Sequence, residues 1–600
     1  MRDLYLFQVL SHLTLEDGQN TTPLIIAARN GHEKVVLVLL SNFKATVEQT
    51  GTVRFDGYSI EGATPLWCAA GAGHLGIVKM LIEYGSYVDH PTITNSTPLR
   101  AACFDGRLDI VKFLLGHKAD LTIANKYKNT CLMISCYKGH KDVVKHLLDS
   151  GAPTDSKAHC GATALHFAAE CGHVEIVKLL VQHEAGMMLN DSKMTPLLVA
   201  AECGQANVVE YMTSLDTCQR TDIISAYELL GASFANDKEQ YDIQRAFEYI
   251  YKGMKERLKD PDNVIEKKLS DPVPAYGNHV ECRTIKDIEA LKSNEDALHM
   301  EGLTIRERIL GQDNPELLHP VVYRGAVFAD AARFDRCLAL WLHAMTLRQK
   351  NFRSISKDLL RFAQVLSQMV HLGKEPDIDT VLQVFRQGTL EMTYDRKRLK
   401  EKAEEEDALY ETYEENIHTL MYLLVIITKL KLKAKFHEDL CSAVYQFLRL
   451  RPKLRNGYTP LHMANDSATI VDDFHVVDEV SFPSGGVCKL LIDCGADTDA
   501  QDKYGNTPLH VIVKYINPID DFENLHECMI SLIKADAHMD IVNKDGKTAL
   551  DISTTGVAEI IIRTNNKIRL ICIAARAVKE YKLPHKGLIP TYLEEFLELH

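Results

Sequence analysis

The feature that most constrains the fold of this chain is a short phrase repeated at a fixed step. Thr64-Pro65-Leu66-Trp67-Cys68-Ala69-Ala70 is followed by Gly73-His74, then by Ile77-Val78 and Leu81. The order returns as Thr97-Pro98-Leu99-Arg100-Ala101-Ala102 before Gly106 and Ile110-Val111, and as Thr130-Cys131-Leu132 before Gly139-His140. It returns again as Thr163-Ala164-Leu165-His166-Phe167 before Gly172-His173. The opening threonines fall at 64, 97, 130, 163 and 195, a step of 33 residues that shortens to 32 at the last. No single unit of this length can bury its own apolar face, so the units must stack. Within each unit Thr opens a short helix, paired alanines let a second helix approach, Gly turns the chain, and an apolar helix packs behind. The chain is expected to be all-α here, and such a stack binds rather than catalyses.

The period and the wording resemble the ankyrin repeat. An earlier unit starts at Thr22-Pro23-Leu24, with Ala27-Ala28 and Gly31-His32 in register. Forty-two residues separate Thr22 from Thr64, nine more than the usual step, and the surplus lies between Lys44 and Glu61 around Phe55-Asp56-Gly57-Tyr58. An insertion there is expected to land in the hairpin loop between units, on the rim where solenoids bind.

Past about Ile223 the phrase stops and helical patterns follow, from Ala226 to Ala235, Asp242 to Leu258, Ile285 to Leu291 and Ala297 to Leu310. Pro320 to Gln349, with Tyr323-Arg324-Gly325-Ala326 and Leu340-Trp341, resembles a tetratricopeptide helix pair. Lys397 to Glu415 is dense in charge and reads as a solvated linker or exposed helix. The repeat phrase resumes at Thr459-Pro460-Leu461-His462, Thr507-Pro508-Leu509-His510 and Thr548-Ala549-Leu550. The resulting plan has a first ankyrin block over 1–215, a tetratricopeptide-like region over 222–352, and a helical or linker region over 353–450. A second ankyrin block follows over 455–562, and an apolar and then acidic helical tail over 565–600.

A formal charge of −14 argues against a nucleic-acid surface and favours basic partners. Fifteen cysteines are scattered without a C-x-x-C pair, several at repeat core positions, which reads as reduced thiols in a cytoplasmic and nuclear protein. The first residues do not have the form of a signal peptide. The greasiest later run, Leu420 to Leu430, is too short to span a bilayer. A homodimer through the helical middle is compatible with the sequence.

Little in the chain has the spacing of a catalytic site. Gly546-Lys547-Thr548 lacks the glycine a phosphate loop needs at 541, and His526-Glu527 lacks a second histidine at 530. The recurring Gly-His pairs are read as structural. Two acidic positions are different: Asp56 on the insertion and Asp105 before the turn glycine of the third unit, each beside a phenylalanine. Paired carboxylates beside aromatic rings suit a guanidinium, which takes bidentate hydrogen bonds and stacks on ring faces. The bland alternative is that each aspartate caps a turn. Arg100 stands where other units have Trp67 or His166 and could take a peptide carboxylate. His159-Cys160 is an adjacent soft-ligand pair that would need at least a third ligand to hold a metal.

Val53 to Gly57, Asn95 to Arg107, Ala158 to Phe167, Leu229 to Phe234, Ile305 to Gly311 and Tyr323 to Val327 are long, peculiar strings. In them, and across nearly its whole length, the chain resembles the feminization-1 homologs, most closely their B type. That resemblance implies a substrate receptor of a cullin-2 RING ubiquitin ligase, not itself an enzyme. The N-terminal groove would hold the C-terminal degron, of Arg/Pro type, of a target protein. Residue by residue, the degron site would be Phe55, Asp56, Tyr58, Trp67, Asn95, Ser96, Arg100 and Asp105, with Tyr137 and Glu170 further along, the two aspartates taking the degron's arginine. The tail would be a VHL-type box that docks elongin B/C and cullin-2 through Leu570, Ile573, Ala574, Ile589 and Pro590. In B-type relatives His159 and Cys160 would match ligands of a zinc shared with a substrate. The third histidine aligns near Ser192, so no resident cofactor is expected. The rival reading is an ankyrin scaffold that assembles signalling partners without ubiquitin transfer.

Overall fold

The computed structural model describes residues 13–14, 20–55, 57–216, 218–269, 271–401, 406–431, 434–471, 479–516, 521–565 and 570–599. The chain divides into two compact units, 1–323 and 324–600.

In the first unit the repeat phrase becomes a row of helix pairs. The leading helices are Pro23–Arg29, Pro65–Ala72, Pro98–Phe104, Cys131–Lys138, Ala164–Glu170 and Pro196–Glu202. Each is opened by its threonine: the Thr64 hydroxyl accepts the Trp67 amide at 3.1 Å, and Thr97 accepts that of Arg100 at 3.3 Å. Proline at the first helical turn loses nothing, because its missing N–H has no partner there. The following helices, such as Leu75–Glu83 and Leu108–Gly116, bury Ile77, Val78, Leu81, Ile110, Val111 and Leu114 completely. Helices of seven to nine residues are marginal alone, so the stack supplies their stability.

The Gly-His pairs explain how units register. Gly139 has a φ of +80°, and a Cβ added there would lie 2.6 Å from the His173 ring of the next unit. His173 Nε2 in turn sits 3.3 Å from the Tyr137 carbonyl. His140 against Gly106 and His74 against Gly31 repeat the arrangement, with Nε2 at 2.9 Å from the Phe104 carbonyl and 3.1 Å from that of Arg29. The structural reading of these histidines matches the geometry.

The insertion extends the expected hairpin loop into two paired strands. Gly51–Phe55 and Tyr58–Ala63 pair antiparallel, with Phe55 opposite Tyr58 and an irregularity near Gly51–Val53. The hairpin forms because it has its own apolar floor: Val53 and Ala63 are buried with Ile25, Trp67, Cys68 and Ala101, and Phe55 and Ile60 pack against them. It is the main departure from an otherwise all-α ankyrin solenoid. The helices Arg220–Asn236, Ile243–Arg257, Ile285–Leu291 and Glu295–Leu310 extend the row. One apolar cluster runs from Leu24 to Ile305, so the core crosses the expected boundary near 215–222 without a break. Buried charges join these helices: Glu228 pairs with Arg257 at 2.6 Å and Arg308 at 2.6 Å, and Glu281 pairs with Lys267 at 2.8 Å.

In the second unit Phe334–Lys350, Ser356–His371, Ile378–Glu401, Glu406–Lys429 and Ala434–Arg449 form a helical array. The charge-dense run from Lys397 to Glu415 lies largely on two 24-residue helices rather than in a linker, with 402–405 outside the described residues. Arg398 within it pairs at 2.7 Å with both Glu391 and Asp395, which are buried. The greasy run is a core segment: Leu420 to Ile427 are all buried, and no described helix is long and apolar enough to cross a membrane. The second ankyrin block follows as Pro460–Ala464, Gly485–Asp493, Pro508–Ile512, Phe522–Lys534 and Gly556–Asn565, and the tail as Leu570–Glu580 and Thr591–Leu599.

Candidate functional site

The hairpin and the leading helices of the second, third and fourth ankyrin units enclose a cavity of about 490 Å³. Its wall is Phe55 and Tyr58, placed side by side because they face each other across the hairpin end. The Trp67 ring meets Phe55 edge-on, centroids 5.5 Å apart at 87°, an arrangement favoured by the ring quadrupoles. Trp67 Nε1 donates to the Ser96 hydroxyl at 3.3 Å, which fixes the indole against the next unit. The Arg29 guanidinium lies 5.4 Å from the Phe55 ring centre.

Arg100 and Asp105 are brought in by one helix, Pro98–Phe104. Arg100 occupies the third helical position, as Trp67 does one unit earlier. Its Nε is buried and has no hydrogen-bond partner among the described residues. Burial pushes its guanidinium below its ordinary range, and Cys131 and Cys103 oppose that only in part. Asp105 is the residue that closes the same helix. A Cβ built on Gly71 would lie 3.8 Å from Asp105 Oδ2 and 3.8 Å from Phe55 Cε1, so the carboxylate and the ring border the same patch of floor. Tyr137 completes the far side, edge-on to Phe167 with centroids 6.3 Å apart.

Seven of the ten expected groove residues therefore line one cavity: Phe55, Tyr58, Trp67, Ser96, Arg100, Asp105 and Tyr137. Asn95 is at the adjoining loop tip with a φ of +58°, its amide donating to the Ala124 carbonyl at 2.7 Å rather than lining the cavity. Glu170 ends the leading helix of the fifth unit, outside the cavity. Burial, with the charges of Glu202 and Glu316, raises its carboxyl above the usual range. Asp56 lies outside the described residues. The cavity also takes Phe104, Tyr127 and Lys138, which the sequence reading passed over. The Lys138 ammonium stands 4.0 Å from the Phe104 ring centre, so the cavity carries a second cation besides Arg100.

In the tail, Leu570 is 82% exposed and Ile573 and Ala574 are exposed with it, whereas Cys572 and Ala575 turn inward. Ile589 is half-buried and Pro590 exposed, and the neighbours Ile571, Leu588 and Tyr592 are exposed too. His159 and Cys160 are both exposed; His159 Nε2 lies 3.0 Å from the Lys126 carbonyl, which engages one of its ring nitrogens. Among the described residues no group of three His, Cys, Asp or Glu side chains is arranged to hold a metal ion, and a zinc at this pair would need at least one further ligand.

A family model described as ankyrin repeats (3 copies) matches the chain over 4–92, 49–125, 86–158 and 132–222, and a single ankyrin-repeat model matches 456–503. Protein fem-1 homolog CG6966 of Drosophila melanogaster is 42% identical over 640 residues, covering 96% of this chain and 94% of its own length. Protein fem-1 homolog C of Homo sapiens is 41% identical over 604 residues, covering 98% and 95%. Protein fem-1 homolog A of Danio rerio is 43% identical over 606 residues, again covering 98% and 95%. With this identity along nearly all of both chains, and with the ankyrin stack in place, the chain belongs to the fem-1 homolog family.

Proposed function

We propose that this protein is the substrate-recognition subunit of a cullin-2 RING ubiquitin ligase, and that its first unit captures the C-terminal end of a target polypeptide. The observation that carries the reading is the aromatic cavity in which Asp105 and Arg100 stand within one helix of each other. A degron arginine would lay its guanidinium on Phe55 and pair with Asp105, together with Asp56. The terminal carboxylate would meet Arg100, whose buried Nε has a donor to give. The exposed leucine and isoleucines of helix Leu570–Glu580 would dock elongin B/C, and Ile589-Pro590 would face cullin-2. Ubiquitin transfer then occurs on the ligase's own conjugating enzyme, with this chain supplying proximity. Work in the cytoplasm and nucleus fits that role. Two of the relatives compared above carry the letters A and C; a B-type assignment would bring with it a zinc shared between His159, Cys160 and a bound substrate.

The test is a titration of the full chain with a peptide ending in arginine. Asp105→Ala should weaken binding by roughly 1.5–3 kcal/mol, the scale of a charge-assisted hydrogen bond. Amidating the peptide's C-terminus should weaken binding to the intact protein but hardly at all to Arg100→Ala. Identical titrations for wild type and Asp105→Ala would refute the assignment.

A further inference from the structure

Lys138 lines the cavity yet takes no part in holding an arginine or a terminal carboxylate. It ends helix Cys131–Lys138, is exposed, and rests its ammonium on the Phe104 ring at 4.0 Å. No carboxylate of the described residues comes within ion-pair distance of that ammonium. A lysine at the end of a helix has an ordinary use, because it complements the last carbonyls. The other units show no standing need of one. In successive units the slot reads Asn30, Ala72, Asp105, Lys138, Cys171 and Cys203. Charge enters it in two adjacent units only, with opposite sign, and both residues border the same cavity. The step between units sets a length. Packed helices lie about 8–10 Å apart, and an extended chain advances about 3.3 Å per residue, so one unit matches about three residues of a bound peptide. The walls set a direction. Phe55 and Tyr58 border the cavity on the hairpin side, while Tyr127, Tyr137 and Lys138 border it on the side of the fourth unit.

We infer that Lys138 reads an acidic side chain about three residues before the end of a captured polypeptide, so that the favoured ending is Glu/Asp-x-x-Arg. This rests on the proposed capture of the arginine at Asp105. With the arginine there and the terminal carboxylate at Arg100, the preceding residues leave away from the hairpin, over helix Cys131–Lys138. The Phe104 face holds the ammonium from one side and leaves its N–H donors for an incoming carboxylate. A neutral side chain at that point forgoes the pair, and a basic one meets a like charge. Lys138 is thus a specificity-determining residue, one unit further along the groove than the residue that takes the arginine.

The experiment titrates the full chain with arginine-ending peptides that carry Glu, Gln or Lys at one upstream position at a time. At low salt the wild type should bind the Glu peptide about three- to fivefold more tightly than the Gln peptide, with the advantage greatest within one residue of the third upstream position. Lys138→Gln should erase that advantage, Lys138→Arg should keep it, and Lys138→Glu should make the Lys peptide the tighter ligand. Glu and Gln peptides that titrate alike on the wild type, both still weakened by Asp105→Ala, would overturn this inference and leave the arginine site standing. Peptides that fail to bind at all would overturn both. A Glu preference that survives in Lys138→Gln would assign the acidic side chain to another residue. If amidating the C-terminus, rather than replacing Glu by Gln, removed the difference between wild type and Lys138→Gln, then Lys138 would hold the terminal carboxylate and the inference would fall.

Discussion

Asp395 shows how a single buried group sets a pH response. Its carboxyl is held by Asn416 at 2.7 Å and Arg398 at 2.7 Å, yet burial, helped by the Glu391 charge, raises it to about 6. The folded state therefore holds the proton more tightly than the unfolded chain, where an aspartate titrates near ~4. Its stabilising contribution is complete below that lower value and is lost as pH climbs through about 6. Between pH 5 and 7 the stability of the wild type relative to Asp395→Asn should fall by about 1 kcal/mol. Thermal melts of the two proteins that run parallel over that range would contradict the assignment. Glu228 runs the opposite way. Burial would raise it, but Arg257, Lys267 and Arg308 outweigh that and hold it at about 2, so its contribution persists to low pH. Residue identities in the groove were legible because a fixed period turns sequence slots into positions in space. Trp67 and Arg100 share one slot, and both line the cavity. Lys138 and Tyr127 were missed although the same rule reaches them: Lys138 is the register mate of Asp105, and Tyr127 that of Thr94.

The helices of the repeats are set by their caps and their neighbours together, and the Gly-His contacts tie one element to the next. Gly139→Ala puts a Cβ into the left-handed region and against His173, and should cost roughly 2–3 kcal/mol. In a His173→Ala background the same change should cost about 1 kcal/mol, the backbone share alone. Hydrogen exchange in helices Cys131–Lys138 and Val174–Gln182 reports the difference; equal costs in both backgrounds would deny the contact. The strand pairing of the hairpin is what the sequence reading lost. Its signal was present, with Asp56-Gly57 between alternating Val53, Phe55, Tyr58 and Ile60, a two-residue turn pattern. The 33-residue register drew attention to the surplus length rather than to its period of two. Because the hairpin rests on a cluster separate from the main core, Val53→Asp should cut binding of an arginine-ending peptide at least about tenfold while the melting of the stack hardly moves. A large drop in the melting of the whole stack would show that the two clusters are one.

At the scale of the whole chain, the proposed reading separates two functions along the sequence. Leu570→Ala should abolish co-purification of elongin B/C and cullin-2 from cells expressing the full chain and leave peptide titrations unchanged. Continued co-purification would turn the reading toward a scaffold without ubiquitin transfer. The architecture was legible where periodicity was long, in both ankyrin blocks and in the helices over 226–310. It was least legible between 353 and 450, where charge density masked helices whose inner faces carry Asp395, Glu391 and the buried run Leu420 to Ile427. Charged side chains on the outer face of a long helix and on a linker look alike in composition; only the inner face distinguishes them. The hairpin wall of the cavity has a consequence for ancestry and for engineering. Residues 51–63 stand on their own small foundation. Selection, in nature or on a display library, can therefore re-tailor this one detachable jaw for a different chain end while the spine behind it stays as inherited.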